Sequence, residues 1–386
     1  MPRAPRPPAC RPGHVPPRRR DRTHPAANHP GRDRPADSSP AAAFSLDCTD
    51  PPQTPIALGA RAHARGVNLS DDRVANGVNV AQARGRGILF HGDLLESGLS
   101  ATSIHGLVAR GGLVRLRRGA YARSDAAADA DARHRLFVQA CMALGDAERI
   151  ASHWSAAAMH MLPLIGAWPS KLHVTDPAAA GGSSSAKVMR HRARSDVDTG
   201  VIDGVRTTSL SRTVVDMCRV LPFASAAAMV DEGLRRGLTI ARLLEELDRA
   251  RVRYGHRAAA KAIEFGDARA ANAGESLSRA RIHELGYAAP DLQVTFTDLR
   301  GRRSDVDFFW TGVRKIGEFD GIHKYTRGEY TKGLPPADVV VREKEREDAL
   351  RPLVNSFDRW VWDDAISPGR FDRFLRDRGA PRAVGR

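Results

Sequence analysis

The chain has 386 residues, 60 of them Lys or Arg against 45 Asp or Glu, giving a formal charge of +15. That length allows two or three domains with ample core, and the basic balance favours polyanions, nucleic acid first. A genome that codes Arg and Ala freely is the competing source of the same excess. No run approaches the ~18–20 apolar residues of a membrane span, and no apolar h-region follows the basic start. Cys10, Cys48, Cys141 and Cys218 lie far apart and form no CxxC pair, so neither a zinc site nor a disulfide framework is indicated, which suits a reducing cytoplasm.

Residues 1–83 are rich in Pro, Arg, Ala and Asp without apolar periodicity, so they cannot bury enough surface to offset their ordering entropy. They are expected to be disordered, either a basic arm that touches DNA phosphates or the product of a start codon placed too early. Order is expected over 84–124. Phe90–Ser97 reads as a short helix stopped by Gly98, and Ser100 as the N-cap of a second helix over Ala101–Arg110. Ile104, Leu107 and Val108 mark its inner face. LVRLR (113–117) and AYAR (120–123) alternate around Arg118-Gly119, a tight hairpin. Helix, turn, helix and β-wing is the order of a winged helix-turn-helix. Thr102, Ser103, His105 and Arg110 would face the major groove, and Arg115, Arg117, Arg118 and Arg123 would hold phosphates of double-stranded DNA.

The pattern Gly111 or Gly112, Leu113, Leu116, Gly119, Tyr121 resembles the N-terminal domain of the AbiEi-type antitoxins. The middle stretch, 125–268, opens with an Ala-rich helix over 125–144. RIASHWSAAAMHMLPL follows, with Ser152 placed to cap a helix. His153 and His160 lie seven apart on one face, compatible with a metal pair but better read as packed or hydrogen-bonded. KLHVT (171–175) and KVMRHRAR (187–194) read as strands, the latter with Arg190, Arg192 and Arg194 on one face. VIDGVRTTS (201–209) holds an Asp-Gly turn between strands. Ser209 caps LSRTVVDMCRVL, where Arg212 and Asp216 are an i,i+4 pair. The series S-H-x-S-A-A-x-x-H, h-V-T and G-V-R-x-T-S-L-x-R-T-x-x-D resembles the AbiEi family's C-terminal domain. That resemblance implies an α/β middle domain, binding to the protein's own promoter, and a nucleotidyltransferase-type toxin as partner. Helices are expected over Ala226–Gly233 and Ile240–Ala250.

The last domain is expected over 269–368, with Glu275 on a leading helix ended by Gly286. VDFFW (306–310) and VRKIGEF (313–319) flank the turn Thr311-Gly312 as a hairpin. Alternation places Asp305 with Asp307, and Glu318 with Asp320, beside His323 and Lys324. Clustered carboxylates repel unless a cation or a proton relieves them, and oxygen ligands suit Mg²⁺, Mn²⁺ or Ca²⁺. A solvated acidic hairpin is the alternative.

The run D-x(10)-E-x-D-G-x-x-H from Asp307 to His323 resembles the very-short-patch-repair-like endonucleases, a branch of the PD-(D/E)XK superfamily. The likeness extends from Glu275 through Gln293 to EKEREDAL (343–350). It implies a restriction-endonuclease-like fold in which Glu275, Asp307 and Glu318 bind Mg²⁺ for phosphodiester hydrolysis. The wider superfamily has Lys two residues after the Glu, where this chain has Asp320. In the resembled branch, Asp-Gly with a following His commonly occupies that place. The cation of the site is left open, with His323 and Lys324 nearest. A charged helix REKEREDALRPLV, a strand FDRWVWDD (357–364) and a frayed basic tail (369–386) are expected to complete the chain.

The expected fold class is therefore α/β multidomain. The expected function is a DNA-binding regulator of AbiEi-antitoxin type carrying an endonuclease-like domain, active or retained as a binding scaffold.

Overall fold

The computed structural model describes residues 87–145, 148–176, 184–192, 196–321 and 336–384. All of them belong to one of the chain's two units, Ala64–Arg386. The expectation for 1–83, and the candidates Arg194, His323 and Lys324, fall outside the described residues.

The first elements are β1 (Leu89–Phe90), α1 (His91–Glu96), α2 (Ala101–Ala109), β2 (Leu113–Arg117) and β3 (Ala120–Arg123), with sheet order β1-β3-β2. Ser100 starts α2 by accepting from the Ser103 N–H at 3.1 Å. Gly111, at φ 76°, ends it, and the Gly112 N–H reaches back to the Leu107 carbonyl at 2.9 Å. Leu89, Leu94, Leu99, Ile104, Leu107 and Leu113 close a small core of their own.

The middle region is built on a five-stranded mixed sheet of order β6-β5-β4-β8-β7. It begins with α3 (Ala130–Ala143), β4 (Ile150–Ala151), α4 (His153–Met159), β5 (Leu172–Asp176), β6 (Val188–Arg192), β7 (Thr199–Ile202) and β8 (Val205–Thr208). Asp203 and Gly204 both take positive φ (49° and 80°), which makes the tight β7–β8 turn. Four helices follow: α5 (Leu210–Cys218), α6 (Phe223–Arg235), α7 (Ile240–Arg249) and α8 (His256–Glu264). The Ser209 cap and the Arg212–Asp216 pair form as spaced, at 3.3 and 2.9 Å.

The last region comprises α9 (Ala273–Glu284), β9 (Asp291–Thr297), β10 (Arg303–Trp310), β11 (Lys315–Phe319), α10 (Pro336–Leu350), β12 (Ser356–Trp360), α11 (Trp362–Ile366) and α12 (Pro368–Asp377). Its sheet runs β12-β11-β10-β9, antiparallel except for the parallel β11–β12 pair. That parallel pair needs a crossover, which α10 supplies.

Three expectations are corrected here. The hairpin turn is a 3₁₀ turn, Thr311–Val313, with Arg314 left-handed, so β11 starts at Lys315. The strand expected to run to 364 stops at Trp360, and Asp364 instead accepts from the Val361 N–H to open α11. Among the described residues the tail is not frayed but continues as a helix over Pro368–Asp377. Phe371 and Leu375 share one face of α12 and are buried against Trp360. Tyr287 Oη also donates to the Asp372 carbonyl at 3.0 Å, and Lys315 Nζ to the Arg378 carbonyl at 2.8 Å.

The middle and last regions are joined at α6. Ala224 and Ala227 of α6 pack in one apolar cluster with Leu277, Ala280 and Phe319, while Ala226, Met229 and Val230 pack in another with Val214 and Leu243. Asp231 of α6, fully buried, accepts from Arg279 Nη2 of α9 at 2.8 and 2.9 Å and from the Asp267 N–H at 2.7 Å. The Arg279 guanidinium lies 4.0 Å from the Phe265 ring centroid and donates to the Phe265 carbonyl.

Candidate nucleic-acid interface and acidic centre

On α2, Thr102, His105 and Arg110 are exposed, whereas Ser103 is half-buried with its backbone and hydroxyl engaged by Ser100. On the hairpin, Arg115 and Arg118 are exposed. Arg117 is half-buried and turned to the Cys141 thiol of α3, and Arg123 is neutralised by Asp125 at 3.1 Å. Of the eight residues read as DNA contacts, His105, Arg110, Arg115 and Arg118 are cationic or titratable, exposed, and outside every ion pair among the described residues.

Glu275 of α9, Asp307 of β10 and Glu318 of β11 are brought near one another, with Gln293 of β9 between the first two. The Phe308↔Gly317 pairing sets Asp307 and Glu318 opposite each other, one step along the hairpin. Gln293, within β9, takes a positive φ of 51°, a costly backbone for a residue with a side chain. From there its Nε2 donates to Glu275 Oε2 at 2.9 Å and to Asp307 Oδ1 at 3.4 Å. Glu275 further accepts from Asn272 Nδ2 at 2.5 Å and the Ala271 N–H at 2.7 Å. Asp307 Oδ2 accepts from the Phe319 N–H at 2.8 Å.

Glu318 meets two arginines. Arg346 Nη2 of α10 donates to both carboxylate oxygens at 2.7 Å, and Arg359 Nη2 of β12 to Oε2 at 3.0 Å. Burial pushes the Glu318 carboxyl up, Arg346 pulls it down, and the nearby Asp307 charge pushes it up again. Burial works against the Arg346 charge, yet the Glu318 and Glu343 carboxylates outweigh it and hold that guanidinium charged. The direction for the pair is a firmly cationic arginine and a carboxylate that bears the cost of burial. Asp320 lies just past β11 with its N–H on the Trp360 carbonyl, and Asp305 accepts from Thr295 Oγ1 at 2.5 Å.

An all-oxygen donor set has the right chemistry for Mg²⁺. Each oxygen of Glu275, Asp307 and Glu318 already receives an N–H donor, so a cation would share those oxygens with the donors or displace them. No three His, Cys, Asp or Glu among the described residues gather as metal ligands. What spacing could not show is that Arg346 and Arg359, from 28 and 41 residues further along the chain, close on Glu318. The i,i+3 offset of Glu343 and Arg346 was the available signal, and it points only to their mutual pair, at 3.3 Å.

The two histidines of the S-H-x-S-A-A-x-x-H stretch separate. His160 falls past the end of α4 and bonds the Thr208 carbonyl through Nε2 at 2.8 Å. His153, left-handed at φ 49°, stacks its ring on His191 of β6 with centroids 3.5 Å apart. His191 Nε2 in turn shares a hydrogen bond with His173 Nδ1 at 2.9 Å. Burial lowers all three, His173 to about 4 and His191 to about 2. They therefore stack as neutral rings.

No protein-family model matches the chain. Two curated proteins of Mycobacterium tuberculosis, Uncharacterized protein MT2308 (strain CDC 1551 / Oshkosh) and Uncharacterized protein Rv2248 (strain ATCC 25618 / H37Rv), are each 29% identical over 284 residues. The match covers 72% of this chain and 97% of each relative. Among solved structures, the crystal structure of RV2827C protein from Mycobacterium tuberculosis aligns with a TM-score of 0.33 at 16% identity. It spans 53% of this chain and 79% of that one, a likeness that carries no argument about fold. No helix among the described residues is long and apolar enough to cross a membrane.

Proposed function

We propose that the chain is a DNA-binding regulator of AbiEi-antitoxin type, with 84–124 a winged helix-turn-helix and 269–368 an endonuclease-like fold. The observation that carries this reading is the exposed set His105, Arg110, Arg115 and Arg118, uncompensated by carboxylates, on one small unit of a chain with charge +15. In this reading α2 enters the major groove, where Thr102 and His105 reach base edges, while Arg115 and Arg118 of the β2–β3 wing lie on phosphates. Each phosphate neutralised releases counterions, adding about 0.9 to the log–log salt slope.

The test is fluorescence anisotropy against duplexes enriched by the full chain from genomic fragments. Thr102→Ala with His105→Ala is expected to erase discrimination between the enriched and a scrambled duplex while leaving the salt slope intact. Equal binding of both duplexes by the unaltered chain would sink the sequence-reading part. The resemblance of the middle region supports a nucleotidyltransferase-type toxin as partner, to be sought by co-purification with the product of an adjacent gene.

A second reading, hydrolysis of a phosphodiester at the last region with Mg²⁺, is favoured by the pairing of Asp307 with Glu318 and their link through Gln293 to Glu275. Against it stand the N–H donors already on those carboxylates and the two arginine charges on Glu318. Plasmid cutting that requires both Mg²⁺ and Asp307, tested with Asp307→Ala and EDTA, would establish this second reading. Intact plasmid with retained binding leaves the last region as a DNA- or protein-binding scaffold.

A further inference from the structure

The basic strand β6 is not absorbed by the wing. It is the edge strand of its sheet, so among the described residues one side has no strand partner. Its pairing with β5 sets Val188, Arg190 and Arg192 on the face where Leu172 and Val174 meet α3, opposite His191. Lys187, just before the strand, and Arg192, at its end, are both exposed and enter no ion pair among the described residues. By contrast, Arg135 of α3 is paired with Asp203 at 2.5 Å.

The wing and β6 flank the same end of α3. Leu116 of β2 packs on the cluster containing Ala140, and Val188 of β6 on the cluster containing Cys141, the next residue of α3. The charges of Arg117 and Lys187 both act on the Cys141 thiol. The cations of the wing therefore continue into those of β6 around the C-terminal turn of α3.

We infer that Lys187 and Arg192 form a second phosphate-binding stretch for the duplex held by the wing, which extends the footprint from the reading head onto the middle region. This rests on the DNA-binding reading above. At about 3.3 Å per residue the stretch from Lys187 to Arg192 reaches roughly 16 Å, the length of several successive phosphates of one strand at about 3.4 Å each. An edge strand also carries charge simply to deter pairing with other edges; that role leaves DNA affinity unchanged.

The experiment measures the salt dependence of binding to a random-sequence duplex of about 40 base pairs, long enough to span both sites. Four full-length proteins are compared: unaltered, Arg115→Gln with Arg118→Gln, Lys187→Gln with Arg192→Gln, and all four together. Circular dichroism melting checks that each is folded. At about 0.9 per contact, each pair is expected to lower the slope by about 1.8, and the fourfold variant by about 3.6. A wing pair that lowers the slope beside a β6 pair that does not would overturn the second stretch and leave the DNA-binding reading standing. A β6 pair that acts while the wing pair does not would overturn the continuous footprint. Failure of the unaltered chain to bind would overturn both readings together.

Discussion

Replacing Asp231 tests how the middle and last regions are held together. Its carboxylate is fully buried on α6 and receives three N–H contacts, two from Arg279 Nη2 on α9 and one from the Asp267 backbone. Burial pushes the Asp231 carboxyl up, and Arg279 and the Asp267 N–H only partly pull it back. The pair as a whole is thus worth little more than apolar packing of the same shape. Removing one partner is another matter, because Arg279 would be left buried and charged. Asp231→Ala is expected to cost about 3–5 kcal/mol, which at about 2–4 °C per kcal/mol for a chain of this size lowers the melting temperature by about 10 °C. Asp231→Leu with Arg279→Met removes both charges, and is expected to stay within about 2 kcal/mol of the unaltered protein. Differential scanning calorimetry of the full chain measures both. If Asp231→Ala melts with the unaltered protein, or the double variant falls as far as the single one, the account of this joint is wrong.

Phe371→Ala removes a fully buried ring packed on Trp360, and should cost about 3–5 kcal/mol in urea unfolding; a change below about 0.5 kcal/mol would mean that α12 contributes nothing. For Glu318, burial and Asp307 raise the folded carboxyl, so its charge costs stability above that raised pKa and nothing below the unfolded value. Glu318→Gln removes that cost but leaves Arg346 and Arg359 without the Glu318 carboxylate, so the test is the pH dependence of the difference. The melting temperature of the variant relative to the unaltered chain is expected to fall as the pH drops from 7 to 4, and a difference that stays constant over that range would refute it. His134 and His173 are held down to about 4, chiefly by burial, so the folded state refuses protons that the unfolded chain accepts near 6.5. Stability is complete above about 6.5 and falls as the pH drops towards 4, by at most about 1.4 kcal/mol per pH unit for each group. Melting curves from pH 7.5 to 4.5 should show that decline, and His134→Phe with His173→Gln should make it shallower without removing it, since His153 and His191 remain; a curve flat over that range in the unaltered chain would count against the buried neutral rings.

Local chemistry was legible in the sequence and long-range closure was not. Ser100 and Ser209 cap their helices because the cap needs only an N–H three residues on. Asp203-Gly204 turns where it stands because both positions tolerate positive φ. The Asp307–Glu318 juxtaposition followed from alternation and one turn, although the turn itself took a 3₁₀ form. By contrast, Arg346 reaches Glu318 from a helix whose angle is set by the parallel β11–β12 crossover, and nothing in the EKERED run encodes that angle. His191 meets His153 only because β6 lies at the edge of a sheet assembled from five separate stretches. The apolar stripe of α12 was masked by its surroundings, since Phe371, Phe374 and Leu375 are spaced among six Arg and Asp residues between 370 and 378. Charge density there imitated a solvated tail.

The double allegiance of α6 constrains how such a chain can evolve. Its two faces serve two cores, and among the described residues its Asp231 is ion-paired with an arginine of the next region. A fragment cut after 268 would expose the Ala224–Ala227 stripe and leave that carboxylate without its arginine, so it would report aggregation rather than the behaviour of the middle region. The last region is accordingly not a cassette that recombination can add or drop in one step. A lineage exchanging it must rewrite one face of α6 in the same event, and fusion partners for this sheet are restricted to those presenting small side chains and a buried acid at the same pitch.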